Sequence, residues 1–81
     1  MFINPIKTAD FIQVGCTDAG YFIHATGSNG NVDIPCGTAD IAAGILAANF
    51  VKHFDYHDSL FNDADETLNF HRACRAIGFE I

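Results

Sequence analysis

Basic side chains are scarce. Lys7, Lys52, Arg72 and Arg75 stand against ten acids in 81 residues, for a formal net charge of −6. Direct nucleic-acid binding is therefore not expected, because neutralising phosphates takes clustered Lys and Arg. An anionic membrane surface is disfavoured for the same reason. Cysteine is sparse and unpatterned: Cys16, Cys36 and Cys74 make an odd set with no CxxC. A secreted disulfide scaffold normally shows an even set, so reduced thiols and a cytoplasmic location are expected. Long apolar runs are lacking too. The longest, "IAAGILAA" at 41–48, falls well short of the roughly 20 residues of a membrane span. The opening "MFINPIK" has neither a basic start nor an apolar stretch, so no secretory leader is expected. Tryptophan is absent.

What the chain does have is apolar mass. It is 49% apolar and 17% charged, with eight phenylalanines. That is enough for one packed domain over 1–81 and too much for a disordered chain. "DFIQVGCT" alternates, with Ile12, Val14 and Cys16 on one face and Gln13 on the other. "GYFIHAT" is a second β-rich run, joined to the first by the turn "TDAG". "GSNGN" is another turn, and "NVDIPC" a third strand that Pro35 should end, because proline cannot donate to a ladder. Three strands so connected form an antiparallel meander.

Helix signals follow. Thr38 is a good N-cap with Asp40 in the first turn, and the apolar pattern carries that helix to about Phe54. Asp63 and Glu66 have capping-box spacing ahead of a second helix. Phe70, Ala73, Cys74 and Ile77 recur at i, i+3, i+4, i+7 as its buried stripe. Gly78 should terminate it, with Phe79 folding back as an apolar clasp. "FEI" is a candidate short final strand. The fold class is α+β, in the order βββαα. The first helix is apolar nearly all round, with Ile41, Ile45, Leu46, Phe50, Val51 and Phe54 spread over the wheel. A helix apolar on every side is normally covered on every side, so a partner chain is expected, and a homodimer is one form of it.

Three constellations could carry chemistry. In "VKHFDYHD", His53 and His57 would be neighbours on a helix continuing to residue 57. With Asp58 and His71 they would make a donor set for zinc or a similar ion, though the spacing matches no metal motif. Cys36, just before a helix start, would have its thiol activated by the helix dipole, with His24 or His71 as base. "NDADE" lacks the glycine and distal glutamate of a calcium loop and reads as capping. Neither a metal nor a cofactor is required by any of these motifs, and a non-enzymatic protein is the preferred reading.

The remaining feature is an acid block. Asp55, Asp58, Asp63, Asp65 and Glu66 lie between Lys52 and Arg72 with no base among them, and Tyr56, Leu60 and Phe61 are interleaved. Together these eight are the candidate partner-binding residues, a face suited to a basic protein. In size, acidity and element order the chain resembles small phage-encoded inhibitors of host defence, the anti-CRISPR and anti-restriction proteins. That resemblance is one of class and rests on no family motif. It implies an acidic inhibitor of a nucleic-acid-binding complex, with the five acids standing where phosphates would sit. The alternatives are a metal- or thiol-based enzyme and a structural homo-oligomer joined through the apolar helix.

Overall fold

The computed structural model describes residues 6, 9–28 and 30–79, without the side chain of Asp58. Strands β1 (Phe11–Thr17), β2 (Gly20–Gly27) and β3 (Gly30–Gly37) are followed by α1 (Ala39–Ala48), a 3-10 turn (Asp58–Leu60) and α2 (Ala64–Ala76). The sheet is antiparallel in the order β1-β2-β3, so the expected meander and the βββαα order are present. Alternation decides which face is covered. Ile12, Val14, Cys16, Ile23 and Ala25 are buried on one side beneath the helices, with Leu46 of α1 and Phe70 and Cys74 of α2. The chain is only 17 Å across its thinnest direction, the depth of one sheet and one helix layer. On the sheet's other face the His24 imidazole and the Asp33 carboxylate meet in a cross-strand hydrogen bond.

Gly15 shows why the loop after α1 can close over β1. A Cβ there would lie 2.5 Å from the Leu60 carbonyl oxygen and 2.8 Å from the Phe22 ring. Only a residue without a side chain admits both. The same loop seals the outer edge of β1, where Val14 N–H donates to the Asp55 carbonyl at 2.9 Å and Asp55 N–H to that of Ile12 at 2.8 Å. An open strand edge is thus partly closed by a single parallel bridge.

Three expectations are corrected. Pro35 does not end β3, which runs on to Gly37. β3 is an edge strand, and its register shifts at Tyr21/Phe22 opposite Pro35, so the missing donor is tolerated. Helix α1 stops at Ala48, not near Phe54. Its end is closed by Phe50 N–H donating to the Ala47 carbonyl (3.1 Å) and Val51 N–H to that of Leu46 (3.0 Å), a Schellman closure with Phe50 at φ +56°. Ile77, expected in the buried stripe of α2, is 50% exposed, whereas Phe70, Ala73 and Cys74 are buried. At the end of α2, Gly78 (φ +83°) and the Phe79 N–H bond to the Cys74 carbonyl close the helix, and the Phe79 ring folds back onto Phe54 as the expected apolar clasp. Phe79 is in no strand, and Glu80 and Ile81 of the proposed final strand lie outside the described residues.

Candidate functional site

Of the seven candidates whose side chains are described, not all are on the surface. Asp63 and Asp65 are exposed at the start of α2. Asp63 is also the N-cap: its carboxylate accepts from Glu66 N–H at 3.0 Å, and the Glu66 carboxylate accepts from Asp63 N–H at 3.2 Å. The other oxygen of Glu66 accepts from the Cys16 thiol, so this acid ties α2 to β1 as well. Asp55 is half-buried and committed through its backbone to the β1 edge. The side chain of Asp58 lies outside the description.

The three expected apolar anchors face inward. Phe61 is 7% exposed and packs on Tyr21 and Phe70, which makes it a core residue. Tyr56 is half-buried among Phe54, Phe70 and His71, and Leu60 is half-buried with its carbonyl over Gly15. Aromatics interleaved with acids read as surface anchors in the sequence. In the fold they are the side of the loop that closes the core.

The structure adds an acid the sequence did not single out. Asp18, in the β1–β2 turn, accepts from the Asn62 side chain at 3.4 Å. That contact brings the hairpin to the start of α2 and gathers Asp18, Asp63 and Asp65, all exposed, at one end of the molecule. None of the three pairs with a Lys or Arg among the described residues. The contact spans 44 positions, so only the hairpin's placement could have revealed it.

At the other end of α2, about 20 Å away for a helix of 13 residues, an open apolar groove lies between the two helix C-termini. It holds about 230 Å³ and is lined by Ala47, Phe50, Val51, Lys52, Ile77 and Phe79, with Gly78. Phe50 is 80% exposed.

The alternative sites do not assemble as expected. His53 and His57 are exposed on non-helical chain, so the helical pair is dissolved by the early end of α1. His71 stacks with Tyr56. Among the described residues no group of three or more His, Cys, Asp or Glu is arranged to hold a metal ion. Cys36 is buried, its thiol donating to the Ile34 carbonyl. Burial raises its pKa, against the smaller opposing effect of a backbone hydrogen bond from Ile23, so the expected activation by the helix start is overridden. Burial, and then the Glu66 carboxylate, push the Cys16 thiol up to about 12, and burial pushes Cys74 up to about 11. None of the three is a poised thiolate.

No protein-family model, curated protein or solved structure matches the chain. Among the described residues no helix is long and apolar enough to cross a membrane.

Proposed function

We propose that this chain is a non-enzymatic protein-binding module, acting as an acidic inhibitor of a basic, nucleic-acid-binding complex. The observation that carries the reading is the gathering of Asp18, Asp63 and Asp65 at the end where the β1–β2 hairpin meets α2. Exposed carboxylates without local cations form a field that attracts a Lys- and Arg-rich groove and speeds encounter. The buried thiols, all with raised pKa values, supply no nucleophile at neutral pH, which favours binding over catalysis.

The test is to measure DNA cleavage by a panel of RNA-guided and restriction nuclease complexes with the protein present. Inhibition is expected against at least one, weakening steeply with salt. Asp18→Lys with Asp65→Lys, neither of which is a helix cap, should weaken it by an order of magnitude or more, about 1.4 kcal/mol or above. Inhibition unmoved by that double reversal, or none across the panel, would remove the acidic end from the mechanism.

A further inference from the structure

The two edges of the sheet differ. The chain covers part of the β1 edge itself, through Asp55, whereas among the described residues no strand flanks β3 on its outer side. Hydrogen-bond alternation says which groups β3 leaves open. Val14 N–H and the Ile12 carbonyl point away from β2, to Asp55. The backbone groups of Gln13, Gly15 and Thr17 are therefore the ones that bond β2. Carried across the sheet through the pairs Gly15↔Phe22 and Ile23↔Ile34, the alternation turns Gly30, Val32 and Ile34 toward β2 and Asn31, Asp33 and Pro35 outward. Pro35, which has no N–H to give, stands where no bond to β2 is made. At this edge Asn31 and Asp33 each offer an N–H and a C=O, and Pro35 a C=O, with no hydrogen-bond partner among the described residues.

A row of alternating donors and acceptors is completed by an extended backbone. The flanking side chains say what that backbone carries. Val32 and Ile34 lie on the helix side of the sheet, opposite the buried Ala25 and Ile23, yet are only half-buried. Apolar side chains from a further strand would extend the core beside them. On the other face the Asp33 side chain is 71% exposed. The His24 ring takes one of its carboxylate oxygens, and the other accepts nothing among the described residues. A cation directly across from it would form a favourable cross-strand pair. The charge of the surrounding chain points the same way. Residues 8–51 include Asp10, Asp18, Asp33 and Asp40 and no lysine or arginine. A second copy would set this acidic stretch against itself, whereas a basic strand is attracted to it.

We propose that the outer edge of β3 receives an extended segment of a partner protein as a fourth, antiparallel strand over Gly30–Pro35. The segment carries a lysine or arginine opposite Asp33 and β-branched apolar residues on either side of it, beside Val32 and Ile34. Pro35 ends the pairing, since it offers an acceptor alone. So short a ladder binds weakly, with a dissociation constant on the order of 100 µM. This edge uses none of the exposed acids at the start of α2 and does not rest on them.

The test is an NMR titration of the isotope-labelled full chain with the capped peptide VKVKVKV, up to about 1 mM. The Asn31 and Asp33 amides should shift most, and their hydrogen exchange should slow more than tenfold. Methylating the lysine backbone nitrogens of the peptide keeps every charge but removes the donors that face β3, and should weaken binding more than tenfold. Asp33→Lys should weaken it by a similar factor and should bind VEVEVEV more tightly than the native chain does. No binding at the highest concentration, binding that spares the Asn31 and Asp33 amides, or binding that survives methylation overturns strand addition. Binding indifferent to Asp33→Lys overturns the basic partner. Asn31 and Asp33 amides that are protected in the peptide-free chain and released on dilution would give the edge to a second copy and overturn the proposal.

Discussion

Phe50 adopts a backbone conformation that its side chain resists. At φ +56° a residue with a Cβ is strained by about 1 kcal/mol relative to glycine, and with 80% of its surface exposed it recovers little by burial. Phe50→Gly should therefore raise stability by about 0.5–1 kcal/mol, read from the urea midpoint. A loss of stability would mean that the ring is held by contacts stronger than the strain. The residue also explains where reading the sequence fell short. Helix ends are usually announced by glycine or proline, as Gly78 announces the end of α2. Asn49 is a weaker stop signal, and the apolar pattern runs past it through Val51 and Phe54. Periodicity alone therefore prolongs α1 by a turn and a half and invents the histidine pair.

The elements themselves were legible wherever local chemistry decides them. The alternation at Ile12, Val14 and Cys16, the Thr38 cap and the Asp63–Glu66 box all act within a few residues, and each appears as expected. What the sequence hid was long-range: Phe61 packing on Tyr21 of β2 and Phe70 of α2, and the hairpin bringing Asp18 to the start of α2. Pro35 failed as a stop signal because its consequence depends on whether the strand is central or at an edge. At this scale the reciprocal box at α2 predicts unequal variants. Asp63→Ala, removing the cap, should cost about 1 kcal/mol, measured by chemical denaturation. Glu66→Ala should cost more, since that carboxylate also receives the Cys16 thiol and its loss loosens α2 from β1. Equal costs would show that the link to β1 contributes nothing.

Three exposed acids gather where the hairpin meets α2, and an apolar groove opens between the helix C-termini. Stability of the folded chain should also depend on pH in the alkaline range. The Cys16 thiol is raised from 9.0 to about 12 and that of Cys74 to about 11, so the folded state keeps protons that the unfolded chain releases. Their contribution is complete below about pH 9 and is lost as pH rises from there toward 11–12. The urea midpoint should fall between pH 8.5 and 10.5, and fall less in Cys16→Ala, which no longer carries the more strongly shifted thiol. The same three cysteines make the chain its own clock. All are buried, one on β1, one on β3 and one on α2, so a thiol reagent reaches each only when its part of the core opens. In a domain this small, opening is expected to be all-or-none. The three labelling rates should then coincide, and any cysteine that reacts early would name the element that leaves first.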